Sequence, residues 1–249
     1  MKKDFMKKIL IIGIIFLLVG VNMYPTVAEK SISLETISTN DESYVKEYLF
    51  QTIIDLVNHP CIQQLLEHSK ADMRALFYCD VHNNQILNKI SFKNYDFLYT
   101  MLCTKPSFSQ KYLTKLCDQG VALVSSIGED EALKMLEFMQ VNDQNLFNEF
   151  TYVIKHDAVL SHRFDTLAKM NDMIPNTLQT WPFPIVCTIL FLNYFTLAIY
   201  RMFFETIGNI FGFIPIIHNF VQIMWSLLTP FIYLFYNLGV TFECYWTHP

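Results

Sequence analysis

IVCTILFLNYFTLAIYRMFF, residues 185–204, is the stretch on which the reading of this chain turns. Its first charge is Arg201, so residues 185–200 are uncharged throughout. About 20 apolar helical residues cross roughly 30 Å of hydrocarbon, and the stretch therefore reads as a membrane span. It is entered through Thr180–Val186, TWPFPIV, where Trp181 suits an interface and Pro182 and Pro184 break whatever helix precedes them. Beyond it, Glu205 and Glu243 enclose 37 residues with no formal charge. That interval exceeds one span. It fits a second span at about 220–240 preceded by a short apolar segment, 206–218, with Pro215 and His218–Asn219 marking a break and Pro230 a kink. Tyr194, Trp225, Tyr233, Tyr236, Tyr245 and Trp246 supply aromatic side chains of the kind found at interfaces. A very apolar soluble core hairpin is the competing reading, disfavoured because nothing polar in the tail would cover its outer face.

Arg201 and Glu205 stand four residues apart between the two apolar runs. With the cation first, the pair is in the less favourable helical order and contributes little if exposed. At bilayer depth the same pair would be a functional site. Gly208 and Gly212 have the small-xxx-small spacing that lets helices approach closely.

The charge distribution divides the chain in three. Apolar residues make up 52% of the sequence and charged residues 16%, against about 25% charged in ordinary soluble domains. Residues 1–28 carry four lysines and one acid; residues 29–180 carry 13 basic and 20 acidic residues; residues 181–249 carry one Arg and two Glu. An acidic middle excludes the clustered positive charge that nucleic-acid binding needs.

The N-terminus has the form of an export signal. MKKDFMKK is a basic leader, ILIIGIIFLLVGV (residues 9–21) an apolar core, and Thr26-Val27-Ala28 a small-residue cleavage site before Glu29. A 13-residue core is short for a permanent span. Cleavage between Ala28 and Glu29 is expected, with an uncleaved anchor as the alternative. Both place residues 29–180 outside the cytoplasm. Span one then runs inward, which leaves Arg201 at the cytoplasmic end, as the positive-inside tendency prefers, and the C-terminus outside.

The middle, residues 29–177, reads as one helical domain. Thr39 and Glu42 have capping-box spacing. Val45, Leu49, Ile53 and Leu56 then form one stripe, and the helix is expected to stop near His59, because Pro60 restricts its predecessor and can open the next helix. Further helices are expected at about 71–79, 84–103, 107–126 and 129–139. From Asn142 to Asp172, Leu146, Phe150, Val153, Asp157, Leu160, Phe164, Leu167, Asn171 and Ile174 keep 4-3-4-3 spacing, a heptad seam with two polar interruptions. As one helix its 31 residues would extend about 46 Å, either packed in the bundle or standing as a membrane-proximal stalk or dimerising coiled coil.

Four of the six cysteines fall in this domain: Cys61, Cys79, Cys103 and Cys117. In an oxidising compartment they suggest disulfides, and helix-hairpin logic favours 61–79 with 103–117. The alternative is that Cys103 and Cys117 are small core residues. Cys79-x-x-His82 has a metal-pair spacing, but it lacks a second pair and oxidation competes. Residues 29–180 contain two glycines, Gly120 and Gly128, too few for a phosphate-cradling loop. Neither a nucleophile elbow nor a zinc-protease helix motif occurs. His156, His162 and Asp165 form the densest cluster of chemistry-bearing side chains, read as a surface contact rather than an acid–base site. Glu129 and Asp130 suit a helix start. No catalytic residue, metal or cofactor is assigned.

The lysine-led signal, the helical exported middle, Trp181, Phe183 and Pro184 at the tail entry, and Cys244 and Trp246 at its end resemble uncharacterised archaeal secreted or membrane proteins. The resemblance covers the two ends of the chain and implies no activity.

Together these readings predict an all-α protein: an extracytoplasmic helical bundle carried by a C-terminal transmembrane hairpin, residues 181–249, with spans at about 184–204 and 220–240. The expected role is interaction or scaffolding at a cell membrane, with the lipid bilayer and a protein partner or second copy as partners. The first rival is a component of a transport, channel or lipid-handling complex; the second is an exported enzyme.

Overall fold

The computed structural model describes residues 39–69, 77–79, 109–136, 139–141, 144–173 and 184–247. All of them belong to one compact unit, Ile37–Pro249. The signal-like leader, with Ala28 and Glu29, the helix expected at 84–103, Cys103 and Trp181 lie outside the described residues.

Eight helices are described. Helix α1 spans Thr39–Asn58 and α2 spans Pro60–Ser69. The stop expected at His59 is there, and Pro60 opens α2, where its missing N–H costs nothing. Val45, Leu49, Ile53 and Leu56 are all buried, so the stripe read from their spacing is the core face of α1. Helix α3 (Gln110–Ile127) starts where Ser109 accepts a hydrogen bond from the Tyr112 N–H at 3.3 Å. Helix α4 (Glu129–Leu136) carries three acids in its first turn, as the helix dipole favours.

Two sequence expectations are corrected in this region. Residues 77–79, expected at the end of a helix, form strand β1 (Phe77–Cys79). It pairs antiparallel with β2 (Met139–Val141), Phe77 opposite Val141. A three-residue pair is too short for alternation to register in the sequence. The 31-residue seam is likewise two helices, α5 (Gln144–His156) and α6 (Ala158–Met173). The break is Asp157. Its carboxylate accepts from the N–H groups of Val159 and Leu160 at 3.0 and 2.9 Å, which makes it the N-cap of α6. The polar residue that interrupted the seam is the residue that ends the helix. The flanking seam positions Leu146, Phe150, Leu160, Phe164 and Leu167 are buried nonetheless.

The C-terminal hairpin is two 27-residue helices, α7 (Ile185–Phe211) and α8 (Pro215–Thr241), followed by a 3-10 turn, Tyr245–Thr247. Both are long and apolar enough to cross a membrane. The turn falls at 212–214, with Pro215 as the first residue of α8, so the apolar segment 206–211 belongs to the first helix rather than preceding the second.

Helix α7 is the axis of the unit. Every residue from Val186 to Met202 is buried, without the periodic exposure of a surface helix. It packs against α8 and α3, and also against α1 and α6. The helices of the middle region and those of the tail therefore share one core. The approach of α3 is close because Gly120 presents no side chain. A Cβ there would lie 2.6 Å from the Leu192 carbonyl oxygen. Several polar side chains of α7 find partners inside the bundle: Tyr194 donates to the Met139 carbonyl at 2.8 Å, Tyr200 to Gln119 at 2.8 Å, and the Asn193 amide N–H to the Ile189 carbonyl at 2.7 Å.

Candidate functional site

The hairpin has two ends of opposite character. At the closed end, Cys187 near the start of α7 is joined to Cys244 after α8. The Trp246 indole donates to the Cys187 carbonyl at 3.2 Å, and its ring stacks on Tyr194 at 5.3 Å. The bridge spans 57 residues of sequence, enough for about 4 kcal/mol if loop-closure entropy is the main effect.

This is a further correction. The cysteines singled out in the sequence were the four of the middle region. Cys61 is a free exposed thiol on the first turn of α2, and Cys117 is free in the core. Burial pushes the Cys117 thiol up to about 11, only partly offset by Lys46. It therefore stays protonated and is held as a small apolar residue. Cys103 and the side chain of Cys79 lie outside the described residues. The signal for Cys187 and Cys244 was present in the sequence: one cysteine sits at each end of an antiparallel hairpin, so folding the hairpin brings them together.

The other end of the hairpin is uncovered. Ile210 is 57% exposed, Phe213 81%, Ile216 62% and Ile223 58%, and Phe211 and Phe220 are exposed beside them. Exposed apolar side chains at this density go beyond the ordinary single scatter of a protein surface. Gly208 lets the two helices meet just below the turn, since a Cβ on it would come within 3.1 Å of Val221. The small residue serves the contact between α7 and α8.

Arg201 lies between these ends. It is 4% exposed. Its guanidinium donates to the Thr229 hydroxyl of α8 and lies over the Trp225 ring, 5.7 Å from the centroid. Thr229 in turn donates to the Trp225 carbonyl at 2.8 Å. Glu205, one turn on, is half-buried. Arg201 thus faces a protein interior between the two helices, at the level where the covering of α7 by the bundle ends.

The remaining candidates are dispersed. His156, His162 and Asp165 are all exposed. His156 stacks on Tyr152 with ring centroids 3.8 Å apart, and its Nδ1 is 2.8 Å from the Tyr152 carbonyl. The charges that do converge nearby are ones the sequence did not single out as partners. Arg163 pairs with Asp55 at 2.6 Å and lies over Tyr48, and His59 meets Asp157 at 3.4 Å. These contacts tie α6 to α1 and to the α1–α2 corner. The Leu160 N–H, helped by the Val159 N–H and by His59, holds the Asp157 carboxyl below its ordinary range against some desolvation. Among the described residues no three His, Cys, Asp or Glu side chains come together, and His82 lies outside them. A groove of about 700 Å³ runs between α2 and α5, lined by Cys61, Gln64, Leu65, Asn148, Glu149 and Tyr152.

Comparison with protein-family models, with curated proteins and with solved structures returns no match.

Proposed function

We propose that the chain is a membrane-attached interaction or scaffolding protein whose helical bundle works on the oxidising side of the membrane. The observation that carries this reading is the polarity of the hairpin: a disulfide locks one end into the bundle, and uncovered apolar side chains crown the other. The disulfide supports an extracytoplasmic bundle, because such bonds persist outside the reducing cytoplasm. The signal-like leader points the same way. The bundle's outer face is charged, with Lys111, Glu149, Lys155, Asp165 and Lys169 exposed. Together with the groove between α2 and α5, this face offers a surface for a protein partner.

The test is membrane fractionation in the native host, combined with thiol labelling of intact cells. The chain is expected to stay with the membranes through alkaline washing. Cys187 and Cys244 are expected to label only after reduction. A chain released by the wash, or a Cys187 that labels without reduction, would overturn the proposal.

A second reading, a component of a transport, channel or lipid-handling complex, is favoured by the interior position of Arg201. Under it, Arg201→Leu leaves the chain in the membrane but removes a co-purifying partner. Under the scaffolding reading the partner is retained.

A further inference from the structure

We infer that the hairpin inserts only its tip, residues 206–224, into a single leaflet of a lipid bilayer, rather than crossing the bilayer twice. The inference rests on the membrane attachment proposed above and specifies its depth.

The cover of the hairpin changes along its length. From Val186 to Met202, α7 is enclosed by α1, α3, α6 and α8. The helices around it turn charged side chains outward, Lys111 and Asp118 on α3 and Asp165 and Lys169 on α6 among them. Hydrocarbon cannot surround that level, because ionised side chains and solvated carboxylates would have to be stripped of water. A helix that is apolar on every side needs a cover, and here protein supplies it.

Beyond Phe204 the protein cover ends. The chain from 206 to 224 carries no formal charge. Ile210, Phe211, Phe213, Ile216, Phe220 and Ile223 point outward around the turn. The exposed polar side chains of the tip, Asn209, His218 and Asn219, are formally uncharged with histidine neutral. From Pro215 to Trp225, α8 rises about 15 Å at 1.5 Å per residue, half of a hydrocarbon core of roughly 30 Å. Glu205 and Trp225 then lie at headgroup level, where an amphipathic ring and a half-buried carboxylate are at home. Length, charge and exposure thus agree on a lipid leaflet as the occupant of this surface.

The experiment places a reporter at the turn. Phe213→Trp in the full chain is compared with the unsubstituted chain in sealed phosphatidylcholine–phosphatidylglycerol vesicles, with bromines either near the acyl carbonyl or near the acyl end. Phe213 is 81% exposed, so the substitution leaves the packing alone; Ile216→Trp serves as a second reporter. The readout is local to the turn, so the apolar leader does not contribute. The added emission is expected to be quenched most by bromines near the acyl ends and to be shielded from iodide on both sides. Quenching strongest near the carbonyls, with access to iodide trapped in the lumen, would mean that the tip reaches the far interface. That outcome would overturn the one-leaflet depth while leaving membrane attachment intact. Emission untouched by either brominated lipid would overturn insertion of the tip altogether, and if accompanied by elution as a dimer would assign the tip to a second copy of the chain.

Discussion

The two portions of α7 make the instructive comparison. Residues 186–202 and residues 206–211 belong to one continuous helix, and neither portion offers a polar face. Yet the first is enclosed by α1, α3, α6 and α8, while the second ends in bare isoleucine and phenylalanine. Hydropathy measures what a segment avoids, which is water. It does not say whether protein or lipid takes water's place. In this chain the protein cover stops within one helix, a turn beyond Arg201, and only the placement of α1, α3 and α6 reveals it.

The largest effect is expected at the tip. Replacing Phe213 and Ile216 by Asp should weaken vesicle binding severely, since each buried aspartate at bilayer centre costs about 3 kcal/mol. Both side chains are exposed, so the thermal unfolding midpoint should stay close to that of the parent chain. Flotation with vesicles and a melting curve read the two effects separately. Equal loss of fold would show that the tip is packed after all.

The enclosed half is tested at Gly120. Gly120→Leu pushes a side chain into the Leu192 backbone, and such overpacking destabilises by about 3 kcal/mol. A lower denaturant midpoint with vesicle binding retained in the folded fraction would sharpen the division. An unchanged midpoint would mean that α3 does not pack on α7 as described.

The smallest effect concerns the corner that holds the bundle around α7. Asp157 has its carboxyl lowered by the amide groups it caps. A lowered native value favours folding once pH exceeds the ordinary carboxylate range, and that contribution fades as pH falls through the lowered native value. The parent chain should therefore lose stability between pH 6 and pH 3 by more than Asp157→Asn does. Urea midpoints at the two pH values read the difference. Equal losses would remove Asp157 from the acid response.

Much of the fold was legible where local rules act alone. Pro60 ended one helix and began another, and Val45, Leu49, Ile53 and Leu56 lay on the buried face. The apolar character and approximate extent of the hairpin helices also followed from composition. The illegible parts were those settled by backbone geometry or by partners distant in sequence. Asp157 reads equally well as a wet position in a long seam and as an N-cap; the cap hydrogen bonds decide it. The strand pair joins segments about 60 residues apart. The disulfide joins cysteines 57 residues apart, and it follows only once the hairpin brings its two ends together. At the candidate site, the charge gap was plain in the sequence, but Arg201's place against Thr229 and Trp225 required α8 to be laid beside α7.

The closed end of the hairpin has a mechanical consequence. Two helices joined covalently at the base cannot peel apart from that end, and any pull on the exposed turn loads them side by side. Such a load reaches α3 and α6 as shear along their packed lengths, where many contacts resist together, rather than as unzipping, where contacts fail one at a time. The Cys187–Cys244 bridge therefore acts as a clasp. It lets the bundle be tugged by whatever holds its tip without being unravelled by it.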